Sequence, residues 1–186
     1  MKKVKLILLL LLFFAGSTKA QKQLISRNVV MSFFSSAPLE DIKAESKSGY
    51  SILDTAQNTL YFKIEIRTFK FRKGMMQEHF NENYMESEKY PYAEFKGKII
   101  DRVNFLTDGE YNVKVQGDLL IHGVKQNYLV NGVISVKDGV VSGSSTFPVK
   151  LKDHKIKIPT LVLKNIAEVV DVTIKVMYEN PNPKKI

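Results

Sequence analysis

The side chains with the most obvious capacity for chemistry are His79, His122 and His154, because a neutral imidazole is a common metal ligand and general base. Metal capture needs several such groups at spacings such as H-x-H or H-E-x-x-H. Neither spacing occurs, and the three fall on a predicted helix, a turn and a loop. His122 is therefore expected to order its turn through backbone hydrogen bonds, and His79 to pack beside its helix. Glu82, Glu86 and Glu88 lie close together in the chain. Paired carboxylates do acid–base work only when burial and facing geometry separate their pKa values, and a solvated helix face explains these three. Ser142, Ser144 and Ser145 lack a nucleophile elbow, and Gly143 belongs to no phosphate loop. With no cysteine in the chain, disulfides, thiolate metal sites and cysteine nucleophiles are excluded. No catalytic centre, metal site or cofactor is expected, so the chain reads as a binding protein and not an enzyme.

The elements that carry these residues follow a period of two. Leu60, Phe62, Ile64 and Ile66 alternate with Tyr61, Lys63, Glu65 and Arg67, and only a strand sends successive side chains to opposite faces. The pattern returns at Ala93, Phe95, Gly97 and Ile99, then at Tyr111, Val113, Val115, Gly117, Leu119 and Ile121. It continues at Tyr128, Val130, Gly132, Ile134 and Val136, at Phe147, Val149 and Leu151, and at Val170, Val172, Ile174, Val176 and Tyr178. Residues 29–34 and 41–46 read as weaker strands. Turn signals stand at Asp108-Gly109, His122-Gly123 and Asp138-Gly139.

Successive hairpins with one wet face imply antiparallel pairing. With few helices to cover the apolar face, the sheet must curl on itself or pack on a second sheet. Gly97, Gly117 and Gly132 sit inside strands on the apolar face, where a sharp bend or close approach needs them. The expected fold is all-β, an antiparallel barrel in one domain over residues 21–186. One helix is expected over 75–85, from the spacing of Met75, Met76, His79, Phe80 and Met85. The segment 74–91 is placed across a barrel mouth or against its wall, where the methionines serve as packing or as a gate.

The first residues read as a targeting segment. Lys2, Lys3 and Lys5 precede an unbroken apolar run over 6–15, and Ala20 precedes Gln21. That is the layout of a secretory signal cleaved after Ala20, which places the protein in the periplasm or outside the cell. Loss of residues 1–20 removes four lysines and no acid, lowering the net charge from +9 to +5. The remaining cations are scattered, without the basic stripe and base-reading element of a nucleic-acid binder. They suit a solvated surface or transient contact with an anionic membrane.

Two stretches resemble a known family. His79-Phe80-Asn81-Glu82-Asn83-Tyr84-Met85-Glu86-Ser87-Glu88-Lys89-Tyr90-Pro91-Tyr92-Ala93-Glu94-Phe95 is similar to a signature of the YceI-like, polyisoprenoid-binding family, in which a short helix runs into a Tyr-Pro pair and a strand with a buried phenylalanine. Gly117-Asp118-Leu119-Leu120-Ile121-His122-Gly123-Val124 resembles its second signature, and the stretch Ile64 to Phe71 its central strand. The resemblance covers about residues 25 to 180. It implies a lipocalin-like barrel of about eight strands around an elongated apolar cavity that holds an isoprenoid or similar amphiphile. Many relatives carry arginine-serine and aspartate-phenylalanine-glycine where this chain has Phe147, Lys150, Asp153 and His154, so the family's headgroup contacts are not carried over.

A barrel of that size is either filled by side chains or holds one small ligand. The inward faces mix large residues such as Phe62, Phe95 and Tyr128 with small ones such as Ala93 and Gly117, and both outcomes satisfy the alternation. With the resemblance, the expected cavity lining is Phe62, Ile64, Ile66, Met76, Phe80, Phe95, Ile99, Val113, Val115, Leu119, Tyr128, Val130, Ile134, Phe147, Val149, Val172 and Ile174. The expected partner is a hydrophobic or amphiphilic small molecule. The alternative is a filled barrel acting in the envelope through its exterior, where Leu120, Leu129 and Val133 are placed; a homodimer suits either.

Overall fold

The computed structural model of the chain describes residues 23–36, 41–158 and 167–178; the expected signal segment lies outside them. Nine strands occur among these residues: β1 (Gln23–Ser35), β2 (Ile42–Asp54), β3 (Thr59–Glu65), β4 (Lys70–Phe71), β5 (Tyr92–Ile99), β6 (Gly109–Ile121), β7 (Val124–Lys137), β8 (Val140–Lys150) and β9 (Val169–Tyr178). Eight form a closed antiparallel barrel in the order β1-β9-β8-β7-β6-β5-β3-β2, sealed by the β1–β2 pairing, and the two-residue β4 adds to the end of β2. Closure leaves the barrel no free edge. One short helix, α1 (Gly74–His79), runs on into a π turn over Phe80–Tyr84.

The inward face is the one expected from alternation. Phe62, Phe95, Leu119, Val130, Phe147 and Ile174, from six different strands, all join one buried core. The first two strands are longer than the expected 29–34 and 41–46. β1 is harder to read because Phe33 and Phe34 are adjacent and because its register against β2 shifts at Val29. A bulge there bends the strand and breaks the period.

Two local expectations are corrected. The alternation from Leu60 to Arg67 predicts one strand, but β3 stops at Glu65, and Ile66–Thr68 forms a 3₁₀ turn closed by Phe69 N–H donating to Ile66 O. Thr68 Oγ1 lies 2.6 Å from Ser46 Oγ, which ties the turn to β2. The stretch Ile64 to Phe71 is therefore strand, turn and a two-residue strand, not one central strand. At Asp108-Gly109 there is no hairpin: Gly109 opens β6, and the link from β5 is the loop 100–108. Asp108 instead accepts a hydrogen bond from Asp138 N–H at the neighbouring hairpin.

The other two turns are two-residue hairpins with positive φ at both positions, His122 (51°) and Gly123 (71°), and Asp138 (51°) and Gly139 (77°). This is the handedness that matches twisted strands. Gly117 answers a different need. It pairs with Gly97 across β5–β6, and a Cβ on it would strike the Gly97 Cα at 2.5 Å. Two glycines opposite one another let the strands cross closely enough for the sheet to coil shut.

Candidate functional site

The barrel interior is divided at a level set by strand register. Phe62 on β3 pairs with Phe95 on β5, Phe95 pairs with Leu119 on β6, and Phe147 on β8 pairs with Val172 on β9. Ile174, one inward position below Val172, pairs with Met31 on β1. Phe62, Phe95, Phe147 and Ile174 border the spaces on both sides of this level and so mark a floor between them. On one side of it lies an apolar cavity of about 460 Å³; on the other remains about 70 Å³.

The hollow half opens toward the 66–91 region. Its wall includes Ile64, Ile66, Leu119, Val149 and Val172, and its mouth carries Met76, His79, Phe80, Tyr84 and Met85. Phe80 is the hub of a phenylalanine cluster. It stacks on Phe33 at 5.4 Å between centroids and lies 5.7 Å from Phe69 and 4.9 Å from Phe71. Tilted and offset rings at these separations attract beyond their area of burial.

The covering segment is held unevenly. Its later part is pinned: Met85 and Ser87 are buried, Arg67 binds Glu88 at 2.9 Å, Ile66 N–H donates to Pro91 O, and Glu86 Oε1 lies 3.0 Å from His122 Nε2. By contrast, α1 buries no residue completely, and Met75 is 69% exposed. Elements with few buried contacts open at the least cost.

The histidines form structure around this mouth. His154 is fully buried; its Nδ1 faces Val124 O at 3.1 Å and its Nε2 faces the Tyr128 hydroxyl at 3.1 Å. The ring therefore donates to the carbonyl and accepts from the tyrosine, and burial pushes its pKa below the usual histidine value. His122 Nδ1 lies 3.2 Å from His154 O, so the β6–β7 hairpin is tied both to the turn after β8 and to Glu86. His79 lines the exposed rim. Glu86 pairs with Lys89 and Glu88 with Arg67, while Ser142, Ser144 and Ser145 belong to β8, Ser145 donating to Asn131 O.

The closed half is sealed by different means. Val113, Val115, Val130, Ile134, Val136, Val141 and Val176 are all buried there. Ser51 Oγ and the Tyr178 hydroxyl lie 2.6 Å apart, and burial pushes the Tyr178 pKa up to about 12. The loop 100–108 packs Val103 and Phe105 against the core, and Tyr111 donates to the carbonyls of Asn104 and Thr107.

The expected lining residues divide accordingly. Phe62, Ile64, Ile66, Met76, Phe80, Phe95, Leu119, Phe147, Val149, Val172 and Ile174 border the large cavity. Ile99, Val113, Val115, Val130 and Ile134 do not; they fill the closed half below the floor, because they lie on the wrong side of the Phe62–Phe95 register level. Tyr128 borders neither space and packs its ring against His154 and Phe147. The sequence reading missed Met31, Phe33, Phe69, Phe71, Tyr84 and Leu151 at the cavity. The Phe69-Lys70-Phe71 alternation was available as a signal, but it is too short to stand out.

The YceI-like domain family matches residues 24–178. This chain belongs to that family. A search of curated proteins finds no match. Among solved structures, the fold is similar to a polyisoprenoid binding domain from Saccharophagus degradans implicated in plant cell wall breakdown, with a TM-score of 0.73 and 14% identity over 87% of this chain and 99% of that one. It is also similar to BcnA of Burkholderia cenocepacia, with a TM-score of 0.67 and 17% identity over 80% of this chain and 95% of that one. The YCEI protein of Campylobacter jejuni superposes with a TM-score of 0.61 and 20% identity over 78% of this chain and 89% of that one. At these identities the likeness is one of fold.

Proposed function

We propose that this YceI-like chain is an exported binding protein that holds the tail of one amphiphilic lipid, of the isoprenoid or quinone class, in the hollow half of its barrel. The observation that carries this reading is the apolar cavity of about 460 Å³ behind the Phe80 cluster, a size typical of small-molecule sites. Each buried methylene contributes about 0.8 kcal/mol, so ten contribute roughly 8 kcal/mol. That exceeds the lower estimates of about 4 kcal/mol for the cost of association. The binding domain of Saccharophagus degradans supports the ligand class by its described specificity. A tail enters as α1 lifts while the pinned 85–91 end stays in place. Lys70, Arg72 and exposed Met75 beside the mouth suit transient contact with an anionic membrane. Export rests on the lysine-led apolar run and Ala20; sequencing of protein recovered from the periplasm should begin at Gln21.

The test is organic extraction of the purified protein followed by mass spectrometry. A prenyl or similar amphiphile should be recovered in near-stoichiometric amount, and hydrogen exchange over 74–84 should slow when it is restored. A protein that carries no amphiphile and shows the same exchange after lipid is offered contradicts the reading. A second reading, an envelope interaction protein, draws on Leu129, which is 61% exposed on the outer face. It expects Leu129→Ser to abolish a protein contact, a homodimer included, without touching lipid binding.

A further inference from the structure

The two unequal spaces have a consequence for which tails fit. Phe62, Phe95, Phe147 and Ile174 each border both the large cavity and the small one, so they are the partition between them. Strand register brings Phe62 and Phe95 directly together. The Phe95 ring also occupies the space over Gly97, where a Cβ would meet its Cε1 at 2.5 Å. The far side has about 70 Å³ left, bordered by Tyr178, whose hydroxyl lies 2.6 Å from Ser51 Oγ.

On β9 the cavity wall runs from Ile174 through Val172 to Val170, and along β8 from Phe147 through Val149 to Leu151 just past its end. Each is a rise of four residues, about 13 Å along the strand at about 3.3 Å per residue. Strand tilt of about 40° reduces the axial depth to roughly 10 Å. One leaflet of membrane hydrocarbon is about 15 Å, half of a core of about 30 Å. The space is thus no deeper than a single acyl tail.

We infer that the Phe62–Phe95–Phe147–Ile174 partition sets a length ceiling, so that this chain takes short prenyl or acyl tails and not long polyprenyl chains. The inference rests on the proposed lipid-binding reading and adds the residues that choose among lipids. The tail end meets the phenyl floor, and additional carbons must remain in the mouth or in water, where they gain nothing. Phe95 is the determining residue, because removing its ring joins the two spaces above Gly97.

The experiment is competition of geraniol, farnesol, geranylgeraniol and solanesol against an environment-sensitive fluorescent probe, using wild type, Phe95→Ala and Val172→Phe. Wild-type affinity should rise about fourfold per added methylene group buried, level off by geranylgeraniol and rise no further for solanesol. Phe95→Ala should move the optimum to a longer prenol. Val172→Phe, which fills space above the floor without opening the core, should move it to a shorter one and serves if Phe95→Ala does not fold. Affinity that keeps rising through solanesol, or a profile that neither variant moves, overturns the ceiling while leaving lipid binding intact. Failure of every prenol to displace the probe from wild type overturns the ceiling and the binding reading together.

Discussion

The two halves of this barrel are made from the same strands and nearly the same residue types, yet one is solid and the other hollow. Below the phenylalanine floor, β-branched side chains from five strands are buried, a loop packs Val103 and Phe105 against them, Ser51 and Tyr178 share a buried hydrogen bond, and about 70 Å³ remains. Above it the β7–β8 ladder has already ended at Gly132–Ser145 and the β2–β3 ladder ends at Tyr50–Lys63, while aromatic and methionine side chains from the 66–85 region roof the space without filling it. The difference thus has two sources, the ladders that end at the floor and the side chains that project inward at each level. Dense packing lies at one end of the tube and the space proposed for a ligand at the other.

That division is tested first by the same substitution in each half. Val113→Ala, in the solid half, should cost about 2–3 kcal/mol: two methylenes at about 0.8 kcal/mol each plus a new void. Val172→Ala widens an existing space and should cost about 1 kcal/mol, while weakening lipid binding. Urea unfolding of both variants measures the contrast, and equal costs would show that the halves are packed alike.

The next effect belongs to the closed end. Tyr178→Phe leaves the fully buried Ser51 hydroxyl without that partner and should cost about 1–2 kcal/mol. Because burial raises the folded Tyr178 pKa to about 12 from its usual 10, the unfolded chain loses this proton first as pH rises. The stability tied to it is complete below about pH 10 and is lost on the way to about pH 12. Thermal melts should fall across that window in wild type and less steeply in Tyr178→Phe.

The mouth end should respond in the opposite direction. Burial lowers the folded His154 pKa, so below about pH 6.5 the unfolded chain takes up a proton that the folded chain resists. Stability associated with this ring is present above that pH and declines as pH falls through the folded value. Melting temperatures from pH 8 to pH 5 should drop more in wild type than in His154→Gln. Acid would thus loosen the roofed end and alkali the sealed end. The smallest effect is expected outside both halves, where Leu129→Ser should change stability by no more than about 0.5 kcal/mol.

Much of the barrel was legible in the sequence, because a sheet with one wet face writes its burial as alternation. Phe95 and Ile99 against Glu94, Lys96 and Lys98 identify both faces of β5, and Asp138-Gly139 identifies the β7–β8 turn. The boundary between hollow and solid was not legible. Val113 and Val172 present the same alternating pattern, and their levels differ only once Phe62 stands opposite Phe95 and Phe147 opposite Val172. Register between strands is a tertiary quantity. The roof was hidden for a related reason: Phe33, Phe69 and Phe71 come from an irregular strand, a turn end and a two-residue strand, and they converge on Phe80 only after the barrel closes.

The most direct measurement is an isotope-filtered nuclear Overhauser spectrum of the protein with bound farnesol. The expected result is contact from the tail's terminal methyls to the rings of Phe62, Phe95 and Phe147, with none to Val113, Val130 or Ile134. Terminal-methyl contacts to those three residues, or contacts confined to the barrel exterior, would contradict a tail held above a phenylalanine floor.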